Sequence, residues 1–113
     1  MDKYKIKRRS AEYRDDARGV ELRLEEVSGR RAMSLASALA DATEGSEGGK
    51  VENEKAMGLF VLYLSVSIVE ADGSRPLDSD EGRAIIAEWP LDVLTAAGQV
   101  AIDLNTPPQL AKN

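Results

Sequence analysis

A chain of 113 residues with 42% apolar and 31% charged side chains has the size and balance of one globular domain. It contains no cysteine and no histidine, which excludes disulfide frameworks, thiolate or imidazole metal sites and any mechanism built on a histidine base. The net charge of −5 is uneven: residues 1–31 carry ten basic against seven acidic side chains, so a leader of +3 precedes a body of −8 that repels a phosphate backbone.

The leader begins MDKYKIKRRS, basic but without the apolar run of a secretory signal. It reads as a solvated arm or a docking segment for an acidic partner surface. Next, GVELRLEEVS alternates Val20, Leu22 and Leu24 against Glu21, Arg23 and Glu25, the period-2 pattern of a half-buried strand. YKIKR alternates more weakly, and DDARG supplies a turn, so the pair predicts a short two-stranded ribbon. Ser28 reads as a helix N-cap before RRAMSLASALADAT, whose apolar face is expected at Met33, Ala36, Leu39 and Ala40. Arg30 and Arg31 fall at that helix start, where the dipole disfavours cations; this marks them as candidate partner-binding residues, with plain solvent exposure as the alternative. The run GSEGG ends the helix in a loop.

The block AMGLFVLYLSVSIV, residues 56–69, is the apolar centre of the chain and falls short of the ~20 residues a membrane span needs. Its start is helical in composition, while Leu64, Val66 and Ile68 alternate against Ser65 and Ser67 as in a strand. A single helix from about Glu52 to Glu70 fits the length best. The segment after it, EADGSRPLDSDE, packs five carboxylates into twelve residues. An EF-hand calcium loop needs ligands at alternate positions, glycine sixth and glutamate twelfth. With Gly73 sixth, Ile68 falls first and Ser79 twelfth, so the register fails. Asp72-Gly73 instead reads as a tight turn, and Asp78 or Ser79 as the cap of a helix with Asp80 and Glu81 in its first turn.

That helix, DEGRAIIAEW, is short and ends before Pro90. Trp89 is either a partner-binding anchor or the lid of a small core. A last helix through LDVLTAAGQVAIDLN carries a core stripe of Leu91, Leu94, Ala97, Ala101 and Leu104. The tail TPPQLAKN has two prolines and no periodicity. The expected organisation is mainly α, about four helices with a short N-terminal β-ribbon. Residues 1–18 form a basic arm or ribbon strand, 19–105 the helical domain and 106–113 a flexible tail. No phosphate loop, nucleotide fingerprint, heptad array or catalytic constellation is present, so neither a cofactor nor an enzyme activity is expected.

From Val20 to Asn105 the layout resembles the tail assembly chaperones of long-tailed, siphophage-type bacteriophages. The features that carry the resemblance are VELRLEEVSGRRA, the apolar helix running into LSVSIVEADGSRPL, the acid-capped SDEGRAI and the final LTAAGQVAIDLN. The chain departs from the family pattern at Leu77, where an aromatic often follows the turn, and in its long basic leader. The resemblance implies a small, mostly helical protein of the host cytoplasm. Such a protein binds the tape measure protein, keeps it soluble while tail tube subunits assemble, and is absent from the finished virion. It also implies self-association and a longer form, made by a −1 ribosomal frameshift, that reaches the tail tube protein. Ala111-Lys112-Asn113 can be encoded GCA-AAA-AAC, which contains a slippery heptamer. Two other classes stand beside this one: a small virion structural or head–tail joining adaptor, and a regulator whose basic arm binds nucleic acid in a salt-dependent way.

Overall fold

The computed structural model describes residues 2–43 and 53–106. Alternation at the N-terminal side produces an antiparallel hairpin, β1 (Ser10–Asp15) and β2 (Val20–Glu25), in which Ala11 faces Leu24 and Tyr13 faces Leu22. The first strand is therefore SAEYRD, downstream of YKIKR. Residues 16–19 close the hairpin, with the Arg18 N–H on the Asp15 carbonyl at 3.2 Å and Gly19 at φ +70°. YKIKR alternates, but its Tyr4 and Ile6 find no apolar face and stay exposed. Ahead of β1 there is a single 3₁₀ turn at Asp2–Tyr4.

Among the described residues four helices follow: α1 (Gly29–Thr43), α2 (Asn53–Ser67), α3 (Asp80–Ala87) and α4 (Leu91–Leu104). The ribbon and the four helices share one core, in which Leu24, Leu35, Tyr63, Leu64, Val66, Ile86, Leu94, Ala97 and Ala101 are buried. Each fully buried aliphatic side chain contributes about 1.5–3 kcal/mol of transfer free energy, so this cluster is the main stabilising term. Helix α2 is its axis and packs chiefly on α4. Small residues on α4 let the two approach: Phe60 lies over Gly98, where an added Cβ would sit 2.6 Å from the ring.

The strand-like alternation at the end of the apolar block has a structural counterpart. Helix α2 stops at Ser67, and the next two residues become extended. Ile68 bridges to Leu24, and the Val69 N–H donates to the Arg23 carbonyl at 2.9 Å. Residues 63–69 are all buried, so burial on every side hides the helical period. The apolar face of α1 is also rotated from its expected place. Leu35 is its buried residue, with Ala32, Leu39 and Ala42 packed beside it, while Met33 is 66% exposed. On α4, Leu94, Ala97, Ala101 and Leu104 are buried as expected, but Leu91 is 65% exposed and Val93 takes its place.

The acidic segment is a turn and a cap. Gly73 sits at φ +86°, the Ser74 N–H donates to Asp72 Oδ1 at 2.9 Å, and Glu70 and Ser74 close the loop through backbone bonds. Ser79 caps α3, its hydroxyl accepting from the Gly82 N–H at 2.9 Å. The GSEGG run, the LAKN end and the rest of the C-terminal tail after Thr106 lie outside the described residues.

Candidate functional site

The three residues singled out in the sequence occupy different environments. Arg31 reaches across to the loop before α3 and grips Asp78 with both guanidinium nitrogens at 2.6 Å. Those hydrogen bonds hold the Asp78 carboxyl below the usual carboxylate range and raise the Arg31 guanidinium. This explains why a cation is tolerated at the start of α1: its charge is spent on Asp78 rather than on the helix dipole. Arg30 is exposed and has no ion-pair partner among the described residues. Trp89 is half-buried at the α3–α4 corner and packs against the core. Asp78 precedes α3 and Trp89 follows it, and a helix of this length spans ~12 Å, so the arginine pair and the tryptophan do not form one site.

Several residues that bind the elements together carry no sequence signal of that role. Arg75 inserts its guanidinium between α2 and the end of β2, donating to the carbonyls of Val66 (2.6 Å), Glu25 (3.2 Å) and Glu26 (3.3 Å) and to Glu25 Oε1 (3.3 Å). These carbonyls lie where a helix and a strand end, so the arginine satisfies acceptors the ladders leave over. Asn105 is a buried latch: its Oδ1 accepts from the Val27 N–H, and its Nδ2 donates to Ser67 Oγ and the Ala101 carbonyl, each at 2.9 Å. Arg9 donates from its backbone to Glu26 Oε1 at 2.8 Å and from its side chain to the Leu104 carbonyl at 2.7 Å. The Arg9 N–H is the main reason the Glu26 carboxyl titrates low. An arginine in a polar loop and an asparagine at a helix end look the same in sequence whether exposed or buried.

The surface carries three concavities of interest. Two are apolar and adjoin at Phe60. One, of about 210 Å³, is lined by Leu39, Ala56, Leu59, Phe60, Gln99 and Ile102. The other, of about 320 Å³, is lined by Asn53, Ala56, Met57, Phe60, Leu91 and Thr95. They lie in the seam between α2 and α4, one on each side of Phe60, as a shallow channel with exposed Leu91 on its rim. The third, of about 390 Å³, runs between Arg18–Leu22 on one wall and Trp89, Pro90 and Val93 on the other. No group of three or more carboxylates able to hold a metal ion occurs among the described residues, and none of their helices is long and apolar enough to cross a membrane. Comparison with models of known protein families, with curated proteins and with solved structures finds no match.

Proposed function

We propose that this chain is a tail assembly chaperone of a long-tailed bacteriophage, acting in the host cytoplasm on the tape measure protein and leaving before the virion is complete. The reading rests on the resemblance from Val20 to Asn105. The observation that carries it furthest is the apolar channel flanking Phe60. A long helix-rich client presents amphipathic faces, and a shallow apolar channel beside a helix takes such a face better than a deep pocket does. The residues behind the resemblance also have definite physical jobs. Gly73 makes the turn, Ser79 caps α3, and Asn105 of the Leu-Asn ending latches α4 to α2 and to the start of α1. Self-association, and a frameshifted longer form that reaches the tail tube protein, belong to the same proposal.

Co-expression tests it. Expressed together with a tape measure protein, the parent chain raises that protein's soluble yield, and Leu91→Asp does not. Leu91 is exposed and opens α4, where an acid suits the helix dipole, so the variant folds while its channel rim becomes charged. A soluble yield unchanged by the parent chain contradicts the proposal.

A further inference from the structure

The outer edge of β2 is only partly used. In this hairpin the even-numbered residues of β2 point their backbone groups at β1, as the Glu26 N–H does to the Arg9 carbonyl at 3.0 Å. The odd-numbered ones therefore point away. There the Arg23 carbonyl accepts from the Val69 N–H at 2.9 Å and the Glu25 carbonyl from Arg75 at 3.2 Å. The chain then turns off at Glu70. The N–H and C=O of Glu21 have no hydrogen-bond partner among the described residues. Beside them runs the 390 Å³ groove, lined by five consecutive residues from Arg18 to Leu22 and by no residue of β1, which places it along the strand's free edge. Its far wall is half-buried Trp89 and exposed Pro90, with buried Val93 behind them, so an added strand would turn alternate side chains onto an apolar surface.

The chain also holds a segment of that kind. Residues 3–7 read Lys-Tyr-Lys-Ile-Lys, with apolar residues at period 2 between cations. Tyr4 is 72% and Ile6 87% exposed. The arm leaves the ribbon at Arg9, at the end opposite the 16–19 turn, and runs past Ser28 and Gly29, away from the groove of its own chain. At the groove, Asp92 is held by Arg18 at 3.0 Å, which leaves Glu21, with only a 3.8 Å contact to Arg14, as the acid open to a cation. A lysine-bearing strand is the electrostatic complement of Glu21.

We propose that the open edge of β2 takes the N-terminal arm of a second copy of this chain, Lys3–Lys7 adding as an extended strand beside Val20–Leu22. Tyr4 and Ile6 face Trp89 and Pro90, and the lysines lie on the solvent face near Glu21. The 3₁₀ turn at Asp2–Tyr4 opens on docking. The exchange is reciprocal, giving a symmetric pair. The inference does not depend on the chaperone reading.

Sedimentation velocity across a concentration series tests it on the full chain. The parent associates to a dimer that weakens with salt. Ile6→Asp, at an exposed position, weakens the dimer by at least ~10-fold, a change of ~1.4 kcal/mol. Glu21→Pro does the same, since it removes an N–H that β1 does not use; an unchanged circular dichroism spectrum and melting midpoint show that both variants stay folded. Mixing the two variants recovers part of the association, because one of the two contacts in the mixed pair joins the intact arm of Glu21→Pro to the intact edge of Ile6→Asp. Trp89, the single tryptophan, reports docking by fluorescence. A parent that stays monomeric, or a mixture that associates no better than either variant alone, overturns the proposal. So does a Trp89 signal that ignores protein concentration but answers to an added alternating Val-Thr peptide, since the edge then takes an outside strand.

Discussion

Replacing Asn105 with alanine removes the latch between α4, α2 and the segment leading into α1. Three hydrogen bonds of 2.9 Å are lost. The Ala101 carbonyl keeps the Asn105 N–H as a partner, and the Ser67 hydroxyl can turn back to its own helix. The Val27 N–H has no such recourse, because Val27 is 7% exposed. One orphaned buried donor, one lost side-chain bond and a small cavity together cost about 2–4 kcal/mol. That is a large share of the roughly 5–15 kcal/mol that holds a domain of this size folded. In urea titration the midpoint falls by roughly 1–2 M with an unchanged slope, for a slope near 2 kcal/mol/M. Ser67→Ala alone costs less, and the double variant costs less than the sum of the singles because the two residues share a bond. A midpoint shift below ~0.3 M for Asn105→Ala, or strict additivity in the cycle, refutes the latch.

Asp78 and Glu26 both titrate below the usual carboxylate range, so their stabilisation is complete above the unfolded value near pH ~4 and is lost as pH falls through the folded values. The melting midpoint is accordingly flat from neutral pH to ~5 and falls below that; Asp78→Asn shrinks the acid-side fall, and an undiminished fall in that variant contradicts the Arg31–Asp78 assignment. Gly73→Val forces a β-branched residue to positive φ and lowers stability by ~1–2 kcal/mol in chemical denaturation, whereas millimolar calcium leaves the parent's midpoint unchanged. A parental midpoint for Gly73→Val contradicts the positive φ at that turn, and a calcium-dependent rise in the parent restores the cation-loop alternative. Gly98→Ala pushes a methyl into Phe60 and costs ~1–3 kcal/mol, read by the same titration; a neutral effect means that α2 and α4 are not in close contact there.

The elements that were legible in sequence are those with local chemistry. A glycine after aspartate, a serine before two acids and a proline after tryptophan each act within four residues, and each marks its boundary in the fold. What the sequence conceals depends on neighbours far along the chain. Helix α1 carries alanine and leucine on several faces, so periodicity alone does not choose between Met33 and Leu35; packing against α2 does. YKIKR alternates at least as well as SAEYRD, but Ala11 and Tyr13 gain partners in Leu24 and Leu22 at the register a four-residue turn permits. Arg75 and Asn105 were indistinguishable from surface residues because their acceptors and donors come from segments up to 78 positions away. At the candidate site, the clash of Arg31 with the helix dipole is visible in the sequence, and it is answered by Asp78 within the chain.

Titration calorimetry of the purified chain against helical fragments of the proposed client, a tape measure protein, with Leu91→Asp alongside, measures the proposed contact itself. Binding by the parent with a negative heat-capacity change, weakened by Leu91→Asp while melting stays parental, is the predicted result. No heat with any fragment at low salt, or equal binding by Leu91→Asp, contradicts the account of the Phe60 channel as the client's seat.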